Sequence, residues 1–318
     1  MRAVWLREFG GPGVLVPADT PDPVPGPGQA LIDVAFANIT FVETQIRAGT
    51  GPFPVKLPMI PGNGVGGVVA AVGPGVDGRL IGRRVVSSTG GAGGYAERVA
   101  VDAGALIEVP DGLGLDHAVA VLADGRTALL LARSAEVRVG ERVLVEAAAG
   151  GVGSLLVQLA KSAGATVVAA AGGPRKVEVA RDLGADVAVD YREPGWAEHV
   201  RQAVGGVDLV FDGVGGAVAR SAFGLLCEGG RMLSFGLASG AWADVTDEEA
   251  AARGVVLLRS GPVGPDELRA LTERALAETA AGRMRPLIGQ RFPLERAADA
   301  HAAIEQRSTV GKTLLEVA

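Results

Sequence analysis

Between Glu146 and Ser154 the chain reads Ala147-Ala148-Ala149-Gly150-Gly151-Val152-Gly153, a run with nothing bulkier than valine. A diphosphate asks for such a run: it needs several backbone N–H donors and a helix N-terminus aimed at it, with no side chains in the way. Ala148 to Gly153 fits the dinucleotide-binding pattern as A-x-G-x-x-G, with Ala148 in place of the first glycine. Gly150 allows the backbone to approach the ligand, and Gly153 lets the helix pack on the strand. Gly151 and Val152 lie at the turn between them. Taken alone the match says little. Its weight comes from the apolar strand expected before it, over Val143–Ala148, and the helix expected after it, over Val152–Ala163.

The end of the next strand selects the cofactor. An NAD site wants an acid there for the ribose 2′-OH. Val167 to Ala180 reads VVAAAGGPRKVEVA, with no acid at the strand end. Gly172 and Gly173 open space, and Arg175 and Lys176 bring positive charge to the following helix. Either base could be an ordinary solvated helix residue. Combined with the absent acid, they point to a 2′-phosphate and hence to NADP(H).

These residues need a scaffold that presents strand ends and helix starts side by side. From about Leu122 the chain alternates apolar strands and helices. Strands are expected at Thr166–Ala171, Asp186–Val189, Val207–Asp212, Arg231–Phe235 and Val255–Arg259. Helices are expected at Pro174–Leu183, Gly195–Val204 and Ala217–Cys227. Continuous apolar strands alternating with helices predict a parallel sheet covered on both faces. The first third is β-rich, with short runs such as QALIDVAFA and RRVVSS separated by Gly and Pro, and with Pro17 to Gln29 as a connecting loop. After Pro265 come a helix to about Ala281, then strand, helix and strand. Composition leaves open which domain this tail joins.

Composition narrows the function classes. The 318 residues are 48% hydrophobic and only 4% aromatic, with 48 glycines, a mixture that fits α/β architecture and argues against disorder. The net charge of −6 is dispersed, with no basic stripe, so no nucleic acid partner is expected. No apolar stretch reaches membrane-spanning length, and the N-terminal MRAVWLREFG lacks the apolar core of a secretion signal. The simplest expectation is a cytoplasmic protein. The single cysteine, Cys227, allows no internal disulfide and no multi-thiolate zinc site. His117, His199 and His301 have bland neighbours, which suits surface or interfacial roles.

In ordered succession, GGYAERVAV (Gly93–Val101), LADGRTALLLA (Leu122–Ala132), VLVEAAAGGVG, LGADVAVDYRE (Leu183–Glu193), VDLVFDGVGG (Val207–Gly216), GRMLSFGLASG (Gly230–Gly240) and GKTLLEV (Gly311–Val317) resemble the zinc-independent quinone oxidoreductase branch of the medium-chain dehydrogenase/reductase superfamily. The resemblance implies an α/β fold: a GroES-like, β-rich catalytic domain over residues 1–121, completed by 264–318, and a Rossmann domain with a doubly wound parallel sheet over 122–263, with a cleft between. It implies that Gly151 and Val152 meet the diphosphate and that Lys176 and Tyr191 flank the adenosine 2′-phosphate. Thr127 and Val214 would lie near the cofactor, Phe235, Gly236 and Leu237 would line its nicotinamide end, and Lys312 would reach the phosphates.

Zinc members of the superfamily carry Gly-His-Glu after the Pro-Gly of the first domain, where this chain has Asn63 and Gly64. No metal is therefore expected, and without a Lewis acid alcohol oxidation is poorly supported. A quinone or an α,β-unsaturated carbonyl is the better acceptor, an electrophilic small molecule that needs positioning and exclusion of water. The family segment Asn-x-x-Asp-x-Tyr-x-Arg appears as Thr40, Glu43, Gln45 and Arg47. Thr40, Val42, Gln45, Asn63 and Asp124 are the candidates for lining the substrate. Glu43 and Arg47, four apart, suggest a structural ion pair. Asn63 either bonds a substrate carbonyl or shapes a turn, and Asp124 and Tyr95 are possible proton donors. The competing class is a non-catalytic NADPH-binding sensor that acts through a protein interface. A homodimer is expected through Val255–Arg259, an apolar strand that would form a covered sheet edge.

Overall fold

The computed structural model describes residues 1–317, and the chain divides into two compact units. One comprises Met1–Gly125 and the chain from Thr272 onward; the other is Arg126–Leu271. The boundaries fall inside two helices, four and eight residues beyond the expected breaks after residues 121 and 263.

In the first unit, β1 (Arg2–Leu6) pairs antiparallel with β2 (Leu15–Asp19), so Pro17 to Asp19 belong to a strand and not to the connecting loop. The long β3 (Gln29–Ile39) is followed by α1 (Phe41–Ala48), β4 (Gly64–Val72), β5 (Arg84–Ser88), β6 (Arg98–Asp102), β7 (Ile107–Glu108) and α2 (Leu115–Ala135), which belongs to the second unit from Arg126 onward. β3 is the hub, pairing with both β4 and β6. Its Ala30, Ile32, Val34, Ala37 and Ile39 enter a core with Val4, Leu6, Val65, Val69 and Tyr95. α1 starts where its sequence says a helix can: Thr40 and Glu43 form a reciprocal capping box, and Gly49 closes the helix at φ +80°.

The second unit is built on β8 (Arg142–Glu146), α3 (Gly151–Ser162), β9 (Thr166–Ala171), α4 (Pro174–Asp182), β10 (Val187–Asp190), α5 (Trp196–Val204), β11 (Val207–Asp212), α6 (Gly216–Phe223), β12 (Leu226–Ser234), α7 (Asp247–Ala252) and β13 (Val256–Leu258). The strands form one parallel sheet in the order β10-β9-β8-β11-β12-β13. Val143 to Val145 and Val167 to Ala170 are fully buried, as strands covered on both faces must be. The expected helix through Cys227 ends at Phe223. Gly224 terminates it, and Leu226 pairs with Val207 at the start of β12, ahead of a register shift. α7 was not anticipated, although Thr246 and Glu249 form a capping box that marks its start.

The chain then returns to the first unit through α8 (Pro265–Ala280), β14 (Ile288–Pro293), α9 (Ala297–Glu305) and β15 (Lys312–Glu316). β15 pairs antiparallel with β3 and extends its sheet, which settles where the tail belongs.

Candidate active site

The glycine run occupies the carboxyl end of β8, and the sheet order shows why that place matters. β9 lies on one side of β8 and β11 on the other, so the winding of the chain reverses there. In open parallel sheets this switch point is where ligands bind, outside the carboxyl ends of the strands. β8 ends at Glu146. Ala147 turns the chain with φ +47°, and its carbonyl accepts the N–H of Gly150 at 2.8 Å. Gly150 caps α3 without any side-chain hydrogen bond, so the first-turn N–H groups of Gly151 and Val152 are available to an anion. At Gly153 a Cβ would overlap the carbonyl oxygen of Ala147 and come within 3.0 Å of Ala148 Cα. The pattern glycine thus permits the close helix–strand packing read from the sequence.

The end of β9 carries the second set. Gly172 leaves room for a tyrosine: a Cβ there would lie 2.8 Å from Tyr191 Oη. Gly173, at φ +104°, caps α4, and a Cβ on it would overlap the Arg192 guanidinium. Lys176 is half-buried in the first turn of α4, while Arg175 is exposed. Gly172, Gly173, Lys176 and Tyr191 therefore gather at one strand end, as expected, and Arg192 joins them. Sequence reasoning passed over Arg192, although its place directly after Tyr191 was a usable signal. Asp190 holds its guanidinium through bonds of 3.0 and 3.1 Å, and that bond keeps the Asp190 carboxyl below the usual carboxylate range. Asp190, the acid that immediately precedes Tyr191, is thus already engaged by a cation.

Two loops at the ends of β11 and β12 form the third part. The N–H groups of Phe235 and Gly236 donate to Asp212 O at 2.8 and 3.3 Å, and those of Ala238 and Ser239 donate to Gly213 O and Val214 O. A Cβ on Gly236 would sit 2.7 Å from Gly213 O. Val214, Phe235, Gly236 and Leu237 are thereby zipped into one surface. Thr127 is half-buried on α2, in the same unit.

The first unit holds a separate polar cluster. Glu43 is buried, but its partner is not Arg47. Its Oε2 accepts the Thr40 N–H at 2.6 Å and the Thr40 hydroxyl at 2.9 Å, and its Oε1 accepts the Asn63 N–H at 3.0 Å. Arg47 instead donates to Glu305 and to the carbonyl of Gly10. The helical spacing was right for an ion pair, but the capping box and the Asn63 amide compete for the carboxylate and win. Burial raises the Glu43 carboxyl above its ordinary range, against the opposing pull of these hydrogen bonds and of the Lys312 charge.

Tyr95 is fully buried, and its hydroxyl meets His301 Nε2 at 3.0 Å. Burial, and then the Glu43 charge, push the phenol well above its normal range, so Tyr95 stays protonated. His301 is also fully buried, which corrects the expectation of a surface or interfacial role for it; His117 and His199 are exposed. Asn63 Oδ1 accepts the Ser88 hydroxyl at 3.3 Å, which fixes the amide. Asp124 and Lys312 bond at 2.9 Å and are largely buried. Thr40 and Gln45 are half-buried and Val42 is exposed. Among the described residues, no three His, Cys, Asp or Glu side chains are grouped so as to hold a metal ion.

Residues 26–111 match the family model of the alcohol dehydrogenase GroES-like domain, and residues 151–276 match that of the zinc-binding dehydrogenases. A quinone oxidoreductase of Pseudomonas aeruginosa is 33% identical over 99% of both chains. This chain belongs to the quinone oxidoreductase branch of the medium-chain dehydrogenase/reductase superfamily. A 2-haloacrylate reductase of a Burkholderia species is 31% identical over 99% of this chain and 98% of its own. The Escherichia coli quinone oxidoreductase, solved in complex with NADPH, superposes with a TM-score of 0.91 at 29% identity, covering 99% of this chain and all of that one. The branch accounts for both the GroES-like and the Rossmann-type sheet.

Proposed function

We propose that this chain is an NADPH-dependent reductase that delivers hydride to an electrophilic small molecule, a quinone or an α,β-unsaturated carbonyl, without a metal ion. The observation that carries the cofactor is the end of β9, where Gly172 and Gly173 make room beside Lys176, Tyr191 and Arg192 and where the nearby Asp190 is engaged by Arg192. A 2′-phosphate gains charge-assisted hydrogen bonds from such a set, whereas a ribose 2′-OH finds no acceptor. Gly151 and Val152 at the start of α3 would hold the diphosphate, and Val214, Phe235, Gly236 and Leu237 the nicotinamide end. When bound, NADPH supplies the hydride. The residues fit it, since a Cβ on Gly153 or Gly172 would collide with the very groups that shape the cradle.

Asn63 and Gly64, in the place where zinc members of the superfamily carry Gly-His-Glu, support an acceptor that is already polarised. Thr40 and Asn63, both fixed by Glu43, would orient the substrate carbonyl. Lys312 is engaged by Asp124 inside the first unit, so we assign it to the electrostatics of that cluster and not to the phosphates. The matched 2-haloacrylate reductase acts, by its name, on an activated alkene, which supports including alkenes in the substrate panel. The chain would assemble as a homodimer through the free edge of β13, where Val256 is 52% exposed.

The test follows absorbance at the nicotinamide wavelength with NADPH and then NADH against quinones and enones. Turnover with NADPH on either class supports the reading, and the faster class identifies the substrate. Binding without turnover on any acceptor would favour a cofactor sensor.

A further inference from the structure

Two carboxyl groups lie buried beneath the loops that zip together at the ends of β11 and β12. Glu146 is the last residue of β8 and Asp212 the last of β11, and both are fully buried. The strands are neighbours, and Phe211 pairs with Val145, so the next residue of each stands beside the other. Both carboxyls converge on one donor: the Val214 N–H lies 3.2 Å from Glu146 Oε2 and 3.1 Å from Asp212 Oδ1. Asp212 also accepts the Gly215 N–H at 2.7 Å and the Ser234 hydroxyl at 2.6 Å. Glu146 Oε1 has no partner among the described residues.

Two ionised carboxylates cannot share one amide in a buried site without a cation. The bases of β8, β12, α3 and α6 are all paired elsewhere. β9 has no titratable residue. Lys161 of α3 is bound to Asp186, Arg220 of α6 to Glu249, Arg231 of β12 to Glu141, and Arg142 of β8 to Asp208. Asp212 has three hydrogen-bond donors and Glu146 has part of one, so the proton belongs on Glu146.

We propose that Glu146 is a positioning residue, a neutral carboxylic acid that donates a hydrogen bond to Asp212 and so locks the loops at 213–216 and 235–239 in the shape that receives the nicotinamide end of the cofactor. The proposal rests on the assignment of those loops to NADPH. Asp212 is the hub: its side chain holds Val214, Gly215 and Ser234, and its carbonyl holds Phe235 and Gly236. Burial first, and then the Asp212 charge, keep the Glu146 carboxyl well above the ordinary carboxylate range. The sign follows. Raising the pH removes the shared proton, sets two charges side by side and loosens both loops.

The experiment measures the NADPH dissociation constant by nicotinamide fluorescence for the wild type, Glu146→Gln and Glu146→Ala. It runs from about pH 6 to about pH 10, a range wide enough for a buried acid. An amide donates to Asp212 as the neutral acid does, so Glu146→Gln is expected to stay within about threefold of the wild type at neutral pH, with Glu146→Ala about tenfold weaker. Wild-type affinity falls more steeply at high pH than that of Glu146→Gln, which keeps only the decline that the groups around the phosphates impose on both proteins. Should the alanine variant fail to fold, the comparison of the other two profiles still decides. A Glu146→Gln loss equal to that of Glu146→Ala, or identical pH profiles for Gln and wild type, overturns the proposal. The infrared carbonyl stretch of a protonated carboxylic acid, lost in Glu146→Gln, gives a readout independent of the cofactor, and its absence at neutral pH also overturns it. If the wild type binds no NADPH while that band is present, the cofactor reading fails and the positioning role fails with it, but the shared proton stands.

Discussion

His301 makes the first unit sensitive to acid, and the size of the effect can be worked out. Its ring is fully buried against Tyr95, and burial, reinforced by the Arg47 charge, lowers its pKa from 6.5 to about 3. In the unfolded chain the imidazole takes up a proton below about pH 6.5; in the folded chain it does so only near pH 3. Between those limits the unfolded state binds the extra proton. The stability contributed by neutral His301 is therefore fully present above pH 6.5 and is lost as the pH falls. At about 1.4 kcal/mol per pH unit the loss is about 2 kcal/mol at pH 5 and approaches about 5 kcal/mol at pH 3. The assay compares urea unfolding of the wild type and His301→Gln at pH 7 and pH 5. The variant is expected to be less stable at pH 7, because it loses packing, but to lose about 2 kcal/mol less than the wild type on going to pH 5. The chain has only three histidines, so the ring-proton NMR spectrum is simple to read. The resonance that disappears in the variant should not titrate between pH 8 and pH 5. Equal losses of stability in the two proteins, or a His301 resonance that titrates near 6.5, would refute the reasoning.

Replacing Lys176 or Arg192 by alanine should raise the dissociation constant for NADPH about tenfold and leave that for NADH nearly unchanged, as titration of each cofactor will show. Gly153→Ala forces a methyl into the Ala147 carbonyl, and a melting curve should reveal about 1–3 kcal/mol of lost stability together with weaker NADPH binding. Glu43→Ala releases Thr40 and Asn63 together; kcat/KM for the acceptor should fall at least about tenfold while NADPH affinity holds, and a drop in cofactor affinity instead would count against the assignment of this cluster to substrate. Val256→Asp at the exposed edge of β13 should give a monomer by light scattering.

The features whose physics is local can be read from the order of the residues. The glycine turn between β8 and α3 is legible because small residues, a strand end and a helix start all fall within ten positions, and the added-Cβ collision at Gly153 comes from Ala147, only six residues away. The βα alternation is legible because side-chain periodicity is a property of neighbours. α7 and the start of α1 carry capping boxes that can be read from the sequence, since such a box spans four residues. The pairings between distant residues emerge from the folded chain alone. Glu43 and Arg47 have ideal spacing for an ion pair, yet the carboxylate went to an amide twenty residues away and the guanidinium to Glu305 on α9. Tyr95 and His301 are separated by 206 positions, and nothing near either residue announces the other. Glu146 and Asp212 each read as an acid at a strand end; it is the parallel registry of β8 with β11 that sets the two carboxyls on one N–H. A charge buried by the fold takes the partner the fold brings within reach, and its neighbours in sequence have no prior claim on it.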